Sequence, residues 1–91
     1  NYRSRYGEID IIAENREYLV FAEVKLRKSA YFGAAREFVD ARKQEKLRAT
    51  ASMWLEKHET SLQPRFDVIE VYGEEGAAAP RIRQIENAFG G

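Results

Sequence analysis

The chain has 91 residues and a formal net charge of zero, and 44% of its residues are hydrophobic, which supports a folded core. This length favours a single domain over residues 1–91, the neutral charge excludes a globally basic nucleic-acid-binding protein, and the lack of cysteine excludes disulfides, thiol nucleophiles and cysteine-based metal sites. The sequence contains no apolar run of membrane-spanning length and no signal peptide, so we expect a soluble, cytoplasmic protein without a membrane partner.

The first predicted elements are two strands joined by a short turn. Residues 7–13 and 18–25 are rich in β-branched and aromatic side chains, which favours strands. The polar residues 14–17 between them predict a turn, and so short a connection implies an antiparallel hairpin. The second strand is apolar on both faces through Ala22, a pattern typical of a central strand that is covered on both sides.

A loop over residues 26–39 is predicted to lead into a helix over residues 40–58. Asp40 is the expected N-cap, because its carboxylate can accept hydrogen bonds from the free amides of the first turn. Four apolar residues recur at helical spacing and predict the buried stripe, namely Leu47, Ala51, Trp54 and Leu55. His58 lies near the helix end, where a favourable contact with the helix dipole is expected rather than a catalytic role.

Two further strands are predicted over residues 65–72 and 81–86, and Phe89 is expected to anchor the tail. The helix between the second and third strands makes a crossover, which favours a parallel pair with a right-handed connection. The predicted fold class is therefore α/β, an α+β mixed sheet in the order β-β-α-β-β with a helix on one face. We expect a helix in a segment preceding residue 1 to cover the other face.

Charged residues inside the first two strands carry the main functional signal. Side chains two apart on a strand share a face, so Glu8 lies with Asp10 and Glu23 lies with Lys25. If the hairpin brings these faces together, three carboxylates and an ammonium converge, and such hard oxygen ligands suit Mg²⁺ or Mn²⁺. The alternative is a structural ion-pair network, although such pairs rarely add much stability in place of apolar residues.

At these residues the chain resembles the PD-(D/E)xK motif of restriction-endonuclease-like nucleases, with Asp10 followed after twelve residues by Glu23-Val24-Lys25. It resembles in particular the YraN-like family, which is uncharacterised and described as predicted endonucleases. The matching stretches span nearly the whole chain and are NYRSRYGEIDIIA (1–13), LVFAEVK (19–25), FG (32–33), RKQ (42–44), RFDV (65–68) and NAF (87–89).

This resemblance implies a restriction-endonuclease-like core that lacks its N-terminal helix here, and it implies roles for individual residues. Asp10 and Glu23 would ligate Mg²⁺ or Mn²⁺ with the Val24 carbonyl nearby, Lys25 would be the catalytic lysine, and Glu8 would be a second acid at the site. Similarity to Holliday-junction resolvases of the same superfamily implies branched or structured DNA as the substrate. Many relatives of this fold act as dimers, which implies a homodimer.

Several cations are candidates for contacts with DNA. Lysines and arginines outnumber acids between residues 24 and 48, whereas the chain from residue 49 onward is net acidic. The candidates for contacts to phosphate are Arg3, Arg5, Arg27, Lys28, Lys43 and Gln44, and the last two are candidates for the catalytic cleft as well. The alternative for each is an ordinary solvated surface residue. Asp67 is expected to be a structural partner of Arg65, and Trp54 a core residue.

The sequence therefore predicts a metal-dependent endonuclease that hydrolyses DNA phosphodiester bonds. Two alternatives remain open at this stage. One is a nucleic-acid-binding module that keeps the fold without catalysis, and the other is a scaffold protein in which the charged cluster is a buried network.

Overall fold

The chain folds into a mixed sheet with one long helix packed on one face. The computed structural model describes residues 1–27, 39–73 and 81–89. The elements are β1 (Tyr2–Ser4), β2 (Gly7–Ile9), β3 (Ile11–Glu14), β4 (Tyr18–Arg27), α1 (Ala41–Lys57), β5 (Gln63–Tyr72) and β6 (Arg81–Ile85). The mixed α+β architecture expected from the sequence is confirmed, and it is compatible with a restriction-endonuclease-like core. Lys28 and most of the predicted 26–39 loop lie outside the described residues.

The main sheet has the strand order β3-β4-β5-β6. β3 and β4 are antiparallel, β4 and β5 are parallel, and β5 and β6 are antiparallel. Asn15 closes the β3–β4 turn, where its side-chain oxygen accepts hydrogen bonds from the Glu17 and Tyr18 amides at 2.8 and 2.7 Å. The predicted hairpin, the parallel crossover pair and the central position of the second strand are confirmed.

The prediction of one continuous strand over residues 7–13 was wrong. The chain breaks at Asp10 into β2 and β3, and β2 pairs with β1 in a separate two-stranded sheet that the sequence did not indicate. The physical reason is a hydrogen bond from the Val24 amide to the Asp10 carboxylate at 2.9 Å. That amide would otherwise bond to a main-chain oxygen of the continued strand, so the ladder ends there.

Helix α1 begins and ends where the sequence predicts. The Asp40 carboxylate accepts from the Lys43 amide at 2.9 Å, and the Asp40 carbonyl accepts from the Gln44 amide at 2.9 Å. At the other end, His58 stacks on Trp54 with ring centroids 4.0 Å apart. In the described parts of the chain, no helix combines the length and the hydrophobicity needed to cross a membrane.

The core lies between α1 and one face of the main sheet. Leu47 and Ala51 of the helix pack over Leu19, Phe21, Phe66 and Val68 of the two central strands. Trp54 meets Phe21 edge to face at 5.9 Å, and Phe89 stacks on Phe66 at 5.1 Å. The core position of Trp54 and the anchoring of the tail by Phe89 are thereby confirmed.

The opposite face of the sheet carries exposed apolar side chains at one end. Leu26 of β4 and Ile82 of β6 both neighbour Val71 of β5 in the register, and both are strongly exposed. A cover for this face by a helix preceding residue 1 stays a prediction.

Candidate active site

Asp10 lies at the chain break between β2 and β3, next to the central strand. The last pair of the β3–β4 ladder is Ile11 with Ala22, so one further step places Asp10 opposite Glu23. The bond from the Val24 amide fixes the Asp10 carboxylate at the residue that follows Glu23. The strand break therefore presents an acidic side chain to β4, where a continuous ladder would present a main-chain oxygen.

Glu23 and Lys25 follow Leu19 and Phe21 along the face of β4 that points toward α1. The apolar stripe ends at Phe21, and the charged residues lie beyond it. The Glu23 side chain is only 9% exposed, and its Oε1 lies 3.7 Å from Lys25 Nζ. The structure thus brings Asp10, Glu23 and Lys25 to one end of the core, as their spacing predicts. Their chemical roles remain predictions.

Lys43 completes this cluster from the helix. Its Nζ lies 2.6 Å from Glu23 Oε1, the same oxygen that Lys25 approaches. The hydrogen bond to Glu23 raises the pKa of Lys43 above its ordinary value against the opposing effect of burial, and the negative charges of Glu23 and Asp10 add to the rise. Lys43 was predicted only as a contact to phosphate or the cleft, and its direct pairing with Glu23 was not foreseen.

Gln44 is engaged in the first turn of α1. Its side-chain amide donates to the Val39 carbonyl at 2.7 Å, and its oxygen accepts from Arg48 at 3.4 Å. These contacts stabilise the helix start beside Lys43. A contact of Gln44 with nucleic acid remains a prediction.

Glu8 lies in the β1–β2 pair and forms an ion pair with Arg3 at 2.6 Å. The expectation that Glu8 shares a face with Asp10 assumed one continuous strand, and the break at Asp10 removes that assumption. An ion pair with an arginine is the arrangement expected if the Glu8 carboxylate has no catalytic role. A role for Glu8 as a second acid at the site remains untested.

The remaining cation candidates that the structure describes lie on β1, in the turn after it and at the end of β4. Arg5 lies in the turn after β1, where its guanidinium covers the Tyr6 ring at 5.0 Å and donates to the Tyr6 hydroxyl at 3.0 Å. Arg3 is exposed despite its ion pair with Glu8. Arg27 is the last residue of β4. Their contacts with phosphate remain predictions.

Glu70 is a charged residue beside the cluster that the sequence analysis missed. It lies next to Lys25 in the parallel β4–β5 register and opposite Arg83 of β6. It is almost fully buried and forms a charged row across the sheet with these two cations. Its spacing of two from Val68 within the predicted strand 65–72 was the signal that could have placed it on the same face as the core.

The donor set fits a magnesium-like ion held partly by water. Among residues 1–27, 39–73 and 81–89, no group of three or more His, Cys, Asp or Glu side chains could hold a metal. Mg²⁺ is commonly bound through one or two carboxylates while it keeps several waters. Asp10, Glu23 and the Val24 carbonyl would supply oxygen ligands of this kind, two of them carboxylates.

Comparison with known proteins gives a consistent family result. The model of the uncharacterised protein family UPF0102 matches residues 1–71. A UPF0102 protein of Acetivibrio thermocellus is 44% identical over 94 residues, which is 98% of this chain and 72% of the relative. UPF0102 proteins of Photobacterium profundum (45%; 80% of this chain, 61% of the relative) and Caldanaerobacter subterraneus (41%; 98% and 75%) are also similar.

Proposed function

The chain belongs to the uncharacterised protein family UPF0102, and from its charged cluster we propose that it catalyses metal-dependent endonucleolytic hydrolysis of DNA phosphodiester bonds. Membership of this family confirms the YraN-like resemblance of the sequence. The assignment to the PD-(D/E)xK nucleases is part of the proposal.

The observation that carries the proposal is the contact between the Asp10 carboxylate and the Glu23-Val24-Lys25 triplet. The Asp10 carboxylate is bound to the Val24 amide at 2.9 Å, so the two acids are held at adjacent positions of the sheet. Lys25 Nζ lies 3.7 Å from Glu23. Two carboxylates and a lysine at one end of a buried strand are costly to desolvate, which favours a functional reason for their presence.

In the proposed reaction Asp10, Glu23 and the Val24 carbonyl would hold Mg²⁺ or Mn²⁺. The bound ion would polarise a phosphoryl oxygen and lower the pKa of a water ligand. Lys25 orients the attacking water or stabilises the charge that develops on the phosphate. The hydrogen bond from Val24 keeps the Asp10 carboxylate oriented before substrate arrives, which reduces the entropic cost of assembling the site.

The proposed substrate is DNA, with branched or structured DNA as the preferred form, and the proposed assembly is a homodimer. Because the net charge of the chain is zero, attraction to DNA must come from local cations. The proposed contacts are Arg3 and Arg5 of the β1–β2 hairpin, Arg27 at the end of β4, Lys28 as the next residue of the sequence, and Lys43 and Gln44 of α1.

A second candidate is a nucleic-acid-binding module or scaffold that keeps this fold without catalysis. It is favoured by the contacts of Glu23, whose Oε1 is approached by both Lys43 and Lys25. Such a carboxylate is already neutralised within the protein, as expected for a structural network. This candidate requires DNA or partner binding that needs no divalent cation.

Cleavage of plasmid and branched DNA with Mg²⁺ or Mn²⁺ separates the two candidates. Lys25→Met and Asp10→Asn should abolish cleavage in folded protein, because the first removes the ammonium and the second a charged ligand. Lys46→Met and Glu14→Gln are matched controls at exposed positions and should cleave like the wild type. Equal cleavage by wild type and Lys25→Met would contradict the nuclease. Metal-independent DNA binding without cleavage would favour the second candidate.

A further inference from the structure

Lys43 contacts a carboxylate oxygen of Glu23, one of the two acids proposed to hold a divalent cation. The ion pair is short, with Lys43 Nζ 2.6 Å from Glu23 Oε1, whereas Lys25 Nζ stands at 3.7 Å from the same atom. The charge of Asp10 also acts on the Lys43 ammonium. Lys43 is therefore a cation that lies in the field of both proposed metal ligands and is supplied by the protein itself.

The two ends of Lys43 differ in how firmly they are held. The backbone is fixed, because the Lys43 amide donates to the Asp40 carboxylate at 2.9 Å and the next amide donates to the Asp40 carbonyl. The side chain is 46% exposed, and its ammonium reaches Glu23 through a flexible four-carbon stem. An ammonium on such a stem can leave Glu23 without any movement of the helix.

We propose that the Lys43 ammonium takes the place of the divalent cation in the metal-free protein. There it neutralises Glu23, and the metal displaces it on binding. The inference rests on the proposed metal-dependent function and adds a means of regulation to the same site. It accounts for an acid that is almost fully buried and yet available as a ligand. Without a cation beside it, the buried Glu23 carboxylate would be costly to keep ionised.

The inference predicts the direction in which the loss of the Lys43 ammonium changes the affinity for metal. A cation that competes for Glu23 weakens metal binding, so Lys43→Met should bind Mn²⁺ about twofold to fivefold more tightly than the wild type, the range expected when a partly exposed ion pair no longer has to be broken. A merely supporting role for Lys43 gives the opposite sign, since the loss of a contact that orders Glu23 would weaken metal binding. Lys43→Arg keeps the competing charge and should bind Mn²⁺ no more tightly than the wild type.

The experiment is a calorimetric titration of Mn²⁺ into the full chain as wild type, Lys43→Met, Lys43→Arg and Lys46→Met. Lys46 is exposed on the same helix one turn further on, so its variant controls for the loss of one positive charge. The thermal unfolding midpoint of each protein with and without Mn²⁺ gives a second readout that needs no activity. The midpoint should rise more on Mn²⁺ addition in Lys43→Met than in the wild type.

The outcomes separate this inference from the proposed function. Tighter Mn²⁺ binding by Lys43→Met but not by Lys46→Met supports the displacement of Lys43 by the metal. Equal or weaker binding by Lys43→Met, or equal tightening by both variants, overturns it and leaves the metal site standing. Failure of both wild type and folded Lys43→Met to bind Mn²⁺, with and without a non-cleavable DNA duplex, overturns the metal site itself, and with it the inference.

Discussion

Two buried acids on the neighbouring central strands, Asp67 of β5 and Glu23 of β4, are held in very different ways. Asp67 accepts two hydrogen bonds from Arg65, both at 2.9 Å, one from Gln84 at 2.8 Å and one from the Asn87 amide at 3.0 Å. Within the described part of the chain, Glu23 pairs with the ammonium groups of Lys43 and Lys25, at 2.6 and 3.7 Å. The first acid is surrounded by fixed donors, and the second is paired with movable ones.

The exposure of the partners strengthens this contrast. The Arg65 side chain is 12% exposed and is further held by Tyr18, whose ring lies 4.7 Å below the guanidinium. The expected structural pairing of Asp67 with Arg65 is thus confirmed. A planar guanidinium that bonds through two atoms is hard to displace, whereas the half-exposed Lys43 can exchange with another cation. The difference indicates a structural acid at Asp67 and an exchangeable one at Glu23.

The largest expected effect is on stability at Asp67. Asp67→Ala should lower the free energy of unfolding by about 3–5 kcal/mol, because four hydrogen bonds to a buried carboxylate are lost. The mostly buried Arg65 keeps an ion pair with the exposed Glu86, at 3.2 Å. Urea denaturation measures the loss, and Asp67→Asn provides a milder variant if the alanine protein does not fold. A loss below about 1 kcal/mol in Asp67→Ala would contradict a structural role for Asp67 that Glu23 does not share.

The matched change at the other acid should cost far less. Glu23→Gln should lower the free energy of unfolding by no more than about 1 kcal/mol, since it breaks a partly exposed lysine pair and keeps the side-chain shape. The same urea series measures it. A cost equal to that of Asp67→Asn would assign Glu23 to the structural framework.

The contrast also predicts a pH dependence. Burial alone would raise the pKa of Asp67, but the bonds from Arg65, the Asn87 amide and Gln84 bring it below its ordinary value. A carboxyl group with a lowered pKa in the folded state stabilises the protein at neutral pH, and this contribution is lost as the pH falls below about 4 toward the folded-state pKa. Unfolding free energy measured from pH 6 to pH 2 should therefore fall less steeply in Asp67→Asn than in the wild type, and parallel curves would contradict this.

The smallest effect concerns the start of α1, which positions Lys43. Asp40→Ala should lower the unfolding free energy by about 1 kcal/mol, because the first-turn amides lose an acceptor. Thermal unfolding measures this, and Glu45→Ala, an exposed substitution in the same helix, should change it little. The result measures how much the Asp40 cap, which binds the Lys43 amide, stabilises the start of the helix.

The parts of the fold that follow local rules were predictable from the sequence. The helix and its Asp40 cap, the β3–β4 hairpin and the Arg65–Asp67 pair depend on periodicity, capping chemistry and a spacing of two residues. Each of these signals lies within one element or across one short turn.

The features that the sequence did not reveal depend on contacts between distant segments. The strand break at Asp10 depends on a hydrogen bond to Val24, fourteen residues away. The pairing of Lys43 with Glu23 depends on where the helix crosses the sheet. The position of Glu70 beside Lys25 depends on the register of a parallel pair. Periodicity marks the face of a residue but not its neighbour on another strand or helix.

The measurement that tests the central claim most directly is a calorimetric titration of Mn²⁺ into the wild type and Asp10→Ala, with and without a non-cleavable DNA duplex. Asp10→Ala should stay folded, since it removes one hydrogen bond to Val24 at the end of a ladder. The account predicts binding to the wild type that is lost in Asp10→Ala. Equal binding to both proteins, or no binding to the wild type even with the duplex present, would contradict a metal site at Asp10 and Glu23.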